Sequence, residues 1–142
     1  MQQILSPQEI VQKMMEADAY SQWLGIKMLD CSAGACTIEM KVRPEMVNGF
    51  GITHGGISFS FADSALAFAC NSQGRHAVSI ETSVNHLTPI KVGDVLTAVA
   101  KEQHLGHRLG YYQVEVFRQD SEKVALFKGV VYRKEKEWLA SD

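Results

Sequence analysis

Residues 56–71 read GISFSFADSALAFACN, and the reading of this stretch decides the fold. Ile57, Phe59, Phe61, Ala62, Ala65, Leu66, Phe68 and Ala69 occupy nearly every side of a helical wheel. A helix that is apolar all round is a buried helix. In a chain of 142 residues the remaining elements must therefore wrap it. The stretch is too short to cross a bilayer, and it carries an acid, Asp63, near its middle. Gly74 punctuates its end.

Working towards the N-terminus, Pro44 closes a strand, because proline cannot donate to a ladder. Two strands are predicted there, 26–31 and 36–42, joined by a turn around Gly34. Before them, residues 7–19 read as an amphipathic helix with Ser6 as N-cap, Pro7 in the first turn and Glu9 completing a capping box. Ile10, Val11, Met14 and Met15 form its apolar stripe, and residues 20–25 connect it to the sheet. Towards the C-terminus four strands are predicted, 76–87, 94–105, 108–119 and 123–133. Val78, Ile80 and Val84 alternate with Ser79, Glu81 and Asn85, as do Tyr112, Val114 and Val116 with Gln113 and Glu115. Residues 135–142 read as a charged tail with one Trp. The order predicts an α+β fold over residues 1–142 as a single domain, a long antiparallel sheet curled around one apolar helix. Short connections after that helix favour antiparallel neighbours.

Composition narrows the function. A formal net charge of −2, with no run of like charges, gives no footprint for nucleic acid or an anionic membrane. The first residues lack the basic start and apolar run of a signal peptide, so a soluble, cytoplasmic protein is expected. Cys31, Cys36 and Cys70 are then reduced structural thiols, the first two facing each other across the turn. No cysteine spacing suits zinc, and His104 and His107 have no evident third ligand, so no metal is expected.

Three features carry candidate chemistry. Asp63 is the one charged side chain in the apolar helix, and the nearest cation, Arg75, is too far along the chain to reach it locally. A buried carboxylate costs several kcal/mol unless it is paired, so it is either matched by a distant base or functional. Thr53-His54-Gly55-Gly56 leads into the helix. Unpaired amides there, aided by the macrodipole, can polarise a carbonyl, although paired glycines serve a turn equally well. Asn48-Gly49, seven residues before Gly55-Gly56 begins, is a common turn dipeptide that also places an amide near that helix end.

Taken together, VNGFGITHGGISFSFADSA (residues 47–65), with SVNHLTP (residues 83–89) and Gly93-Asp94, resembles the phenylacetate-degradation-type acyl-CoA thioesterases of the hotdog superfamily. The resemblance covers nearly the whole chain. It implies a hotdog fold and hydrolysis of an acyl-CoA, aryl-acetyl or short to medium in chain, with no cofactor beyond the coenzyme A of the substrate. It implies that Asp63 is general base or nucleophile and that Asn48 orients water or the carboxylate. The Gly55 amide would bind the thioester oxygen, with His54 and Gly56 supporting the same place. Ser79 is the nearest match to a hydroxyl that positions water in some relatives, and Ser64 stands second to it. The position one turn after the carboxylate, acidic or Thr in some relatives, is Ala67 here. His86, Thr88 and Lys91, with His104, His107 and Arg108 at the later turn, fall where relatives contact coenzyme A. The resemblance further implies a homo-oligomer, a dimer of dimers, whose site lies between two subunits.

A thioester suits so small a set of groups, because thiolate leaves readily and only a poised base and an oxyanion site are needed. Two other readings stand beside hydrolysis. A hotdog protein that binds acyl-CoA without cutting it needs no intact Asn48, Gly55 and Asp63 set. Hotdog dehydratases and hydratases use a catalytic histidine with an acid on a differently placed helix; here His54 lies before the buried helix and no histidine lies within it, which disfavours that reading. Phe50, Phe59, Phe61 or Met46 are the expected lining of the acyl pocket.

Overall fold

The computed structural model describes residues 2–141. Its first helix, α1 (Pro7–Ala17), opens with the expected capping box. Ser6 Oγ accepts from the Glu9 amide at 3.2 Å, and the Glu9 carboxylate accepts from the Ser6 amide at 2.8 Å. Residues 20–25 are not a plain connection. Asp18 ends α1 and starts a second short helix, α2 (Ala19–Leu24), by accepting from the Ser21 amide at 2.9 Å. Gly25, at φ +77°, closes α2 in the left-handed conformation that glycine adopts most readily.

Six strands follow the order expected: β1 (Lys27–Ser32) and β2 (Ala35–Lys41), then the helix α3 (Gly55–Asn71), then β3 (Arg75–His86), β4 (Val95–Leu105), β5 (Leu109–Phe117) and β6 (Lys123–Glu137). They form one antiparallel sheet in the order β1-β2-β4-β5-β6-β3. β6 runs on to Glu137, which pairs with Arg75, so the start of the expected charged tail belongs to the sheet. β3 and β4 are consecutive but not neighbours, against the expectation from short connections. β3 takes the sheet edge beside β6, and the loop 87–94 crosses in front of α3, tied there by the Thr53 amide donating to the Ile90 carbonyl.

α3 lies across the concave face, as a buried helix must. Phe61, Leu66 and Phe68 are fully enclosed among Ile38, Met40, Leu96, Val114 and Phe127. Small residues let the layers close: Ala98 and Ala100 face the helix, and so does Gly129. A Cβ on Gly129 would stand 2.6 Å from the Leu66 side chain. This is the hotdog arrangement. Cys31 and Cys36 are direct cross-strand partners, both buried and both free thiols. No helix among the described residues is long and apolar enough to cross a membrane.

Candidate active site

The N-terminus of α3 is built by a loop that turns on its own hydrogen bonds. The Asn48 amide donates to Ile52 at 2.8 Å, and Val47 bridges Thr53. Asn48 Oδ1 accepts from the Phe50 amide at 2.9 Å. Its carbonyl is thereby committed to the turn, and the Nδ2 group is the end left to donate to a ligand. His54 caps the helix: its Nδ1 accepts from the Gly56 amide at 3.0 Å, so the ring proton sits on Nε2.

Gly55 touches the ring of His86. A Cβ there would come 3.1 Å from His86 Nε2, so a side chain at this position would crowd the ring. His86 Nδ1 lies 3.3 Å from Ser58 Oγ, which holds the ring against the helix. Asn48, Thr53, Gly55, His86 and Thr88 together line a pocket of about 300 Å³. The Thr53 hydroxyl beside it is buried without a hydrogen-bond partner among the described residues.

Asp63 lies two turns further along α3 and opens into another pocket, of about 240 Å³. Met14, Leu66, Ala67, Cys70 and Val78 give that pocket an apolar wall, and Ser79 shares it with Asp63. A bulge between Ser79 and Glu81 lets Ser79 pair with the buried Val131 and so face inward while Glu81 turns outward. Among the described residues nothing hydrogen-bonds to the half-buried Asp63 carboxylate or pairs with it as a cation. Burial raises its pKa above the ordinary carboxylate value, and the negative charge of Asp18 raises it further. Burial pushes the neighbouring Cys70 thiol up to about 12, so it stays neutral.

The expected residues thus fall into separate groups. Asn48, Gly55, His86 and Thr88 meet at one pocket, and Asp63 meets Ser79 at another. Eight residues of helix set Gly55 and Asp63 about 12 Å apart. His54 and Gly56 line a third groove with Tyr20 and Ser60, on another side of the helix end. Lys91 and Arg108 are exposed at opposite ends of β4, about 35 Å apart along the strand. His104 and His107 are exposed at that same far end.

The side chains expected at the acyl pocket are dispersed within the single chain. Phe50 stands 90% exposed, Phe61 and Met46 are core, and Phe59 packs on Phe127 at 5.4 Å between ring centres. Sequence reasoning assigned Met14 to the core stripe of α1 and Cys70 to the structural thiols, and named Thr53 only as part of the Thr53-His54-Gly55-Gly56 motif. It passed over Asp18, whose cap position before Ala19-Tyr20-Ser21 is a legible signal. No cluster of metal-ligating side chains occurs among the described residues.

Comparison with known proteins finds relatives of this chain and of its fold. The family model described as Thioesterase superfamily matches residues 50–125. The acyl-coenzyme A thioesterase PaaI of Escherichia coli is 42% identical over 120 residues, covering 84% of this chain and 86% of that protein. The solved structure of the E. coli PaaI protein from the phenylacetic acid degradation operon superposes with a TM-score of 0.90 at 38% identity, over 92% of this chain and 95% of that one. A Streptococcus mutans protein solved bound to acetyl CoA matches with a TM-score of 0.77 at 26% identity, over 79% of this chain and 90% of that one.

Proposed function

The chain belongs to the thioesterase superfamily, and from that premise we propose that it hydrolyses acyl-CoA thioesters at a centre shared between two copies of the chain. The observation that carries the shared centre is the separation of Gly55 from Asp63 into different pockets. A base and an oxyanion donor acting on one carbonyl must both lie within about 3 Å of its reacting atoms. One subunit therefore supplies the helix end, and its partner supplies Asp63.

The edge of the sheet supports this assembly. β3 is an edge strand of 12 residues, with Val78 47% and Ile80 59% exposed. A long apolar edge invites pairing with a second copy. Antiparallel pairing centred between Thr82 and Ser83 sets Ser79 opposite His86 of the partner subunit. That register brings the Asp63 pocket of one chain to the Gly55 pocket of the other. It also carries the far end of β3, where Arg75 donates to the His107 carbonyl, beside Thr88 and Lys91 across the axis. Thr88, Lys91 and Arg108 of the partner subunit then converge on the coenzyme A phosphates. Two such dimers pair into a tetramer.

In this centre the thioester carbonyl oxygen accepts from the Gly55 amide and from Asn48 Nδ2. Ionised Asp63 either takes a proton from the attacking water or attacks the carbonyl carbon itself. Ser79 holds the water beside it. As the tetrahedral intermediate collapses, the C–S bond breaks and coenzyme A leaves as thiolate; on the direct-attack branch this leaves a mixed anhydride on Asp63, which the water then hydrolyses to release the acid and restore the carboxylate. Carboxylate, amides and water carry these steps, so the reading calls for no cofactor. The acyl group enters the pocket of Met14, Ala67 and Cys70, whose size suits an aryl-acetyl or a short to medium acyl group. The operon of the E. coli relative favours the aryl-acetyl choice. One domain suffices, and its unpaired cysteines suit the cytoplasm.

The test is thiol release from aryl-acetyl- through long-chain acyl-CoAs by wild type and Asp63→Asn. Turnover by wild type and its loss in the variant is the expected result. Tight binding without release by wild type would replace hydrolysis with acyl-CoA storage or sensing.

A further inference from the structure

A buried hydroxyl bridge links the cap of α2 to the residue beside Asp63. Asp18 Oδ2 accepts from Ser21 Oγ at 2.6 Å, and Ser21 Oγ lies 2.8 Å from Ser64 Oγ. Ser21 is 1% and Ser64 8% exposed, so the bridge is shielded from water. Its other end is fixed as well, because Asp18 Oδ1 accepts from the Ser21 amide. We propose that Asp18, clamped through Ser21 onto Ser64, holds a fixed negative charge beside Asp63 and tunes it as the base.

The inference rests on reading Asp63 as the catalytic carboxylate. The surroundings of Asp63 make Asp18 the charge that counts. From α1 comes Met14, while Lys13 lines a groove with Glu9 and Glu16. β3 presents Ala77 and Ser79, and β6 presents Val131. The inner faces of β2, β4 and β5 over the helix are apolar, with Ile38, Leu96 and Val114. Glu102 is engaged further off by the Tyr112 hydroxyl and Gln73. Cys70 is neutral at working pH.

A fixed anion near a half-buried carboxylate disfavours its charge and makes it the stronger base once ionised. Asp18 raises the Asp63 pKa in this sense, second to burial. The cost is a narrower range of pH on the acid side. The gain is a base better matched to water at neutral pH.

The test compares kcat/KM against pH for wild type, Asp18→Asn, Asp18→Ser and Asp63→Asn, all as the assembled protein. Asn and Ser both cap helices well, so α2 is retained. Removing the charge should move the acid limb to lower pH in both Asp18 variants and lower the plateau. An acid limb that stays where wild type has it, in either folded variant, would reduce Asp18 to a helix cap and overturn the inference. If Asp63→Asn itself keeps turnover, the catalytic reading fails instead, and the two failures are told apart within one set of curves.

Discussion

Asp63 sits half-buried with no hydrogen bond or cation among the described residues, and that arrangement has a stability consequence. Its folded pKa is raised by burial and by Asp18. A raised carboxylate pKa gives stability that is present below the unfolded value and is lost as pH climbs through the folded one. At neutral pH the ionised group therefore weakens the fold. Asp63→Asn should melt higher than wild type near neutral pH, with the gap closing as the solution is acidified, while turnover is lost. Melting curves across pH check this, and an Asn variant that melts lower at neutral pH would mean the carboxylate is paired in solution. Asn48 makes the complementary case. Its carbonyl is held by the Phe50 amide, so it can serve the substrate only as a donor. Asn48→Ala should lower kcat by about 100-fold, as loss of one oxyanion donor does. Kinetics at saturating substrate decide it, and an effect confined to KM would make Asn48 a binding residue. Thr53 holds a buried hydroxyl without a partner among the described residues. Thr53→Val removes it at constant shape and should raise stability by about 1 kcal/mol. Denaturant titration reads this, and a loss of stability would show that the hydroxyl is bonded in solution.

At the scale of elements, α3 was legible because its whole surface is apolar, and only one kind of architecture buries such a helix in a chain this small. The α1 capping box was legible for a similar reason, since Ser6 and Glu9 act locally. α2 was missed because six residues carry too little periodicity to register, and its start depends on one cap, Asp18. The edge position of β3 was missed because strand order is set by how the 87–94 loop crosses α3, which no local pattern encodes. Gly129 shows the same limit: within β6 it reads as a weakness, and only the Leu66 side chain against it explains the absence of a Cβ. Gly129→Ala should cost about 1–3 kcal/mol through overpacking against α3. Chemical denaturation measures it, and a neutral result would show that Leu66 can yield.

For the whole molecule, the resemblance named these residues and implied a site between two subunits, while local pattern alone said nothing of their grouping. Sequence spacing puts Asn48, Gly55 and Asp63 within sixteen positions, yet a helix converts the last eight of those into a distance no single substrate carbonyl can bridge. The side chains expected at the acyl pocket are dispersed for a related reason. Phe50, Phe61 and Met46 lie near Asp63 in sequence, but the loop tip faces solvent and the other two face the core. The proposed centre, split between helix end and helix middle, becomes whole only across a two-fold axis, and mixed subunits test that directly. Asp63→Asn and Asn48→Ala, each impaired alone, are unfolded together, refolded and assayed for thiol release. The account predicts recovery to about a quarter of wild-type activity, since half the dimers are mixed and each mixed dimer holds one intact centre. Activity no higher than the average of the two separate variants would place the whole centre within one chain and contradict it.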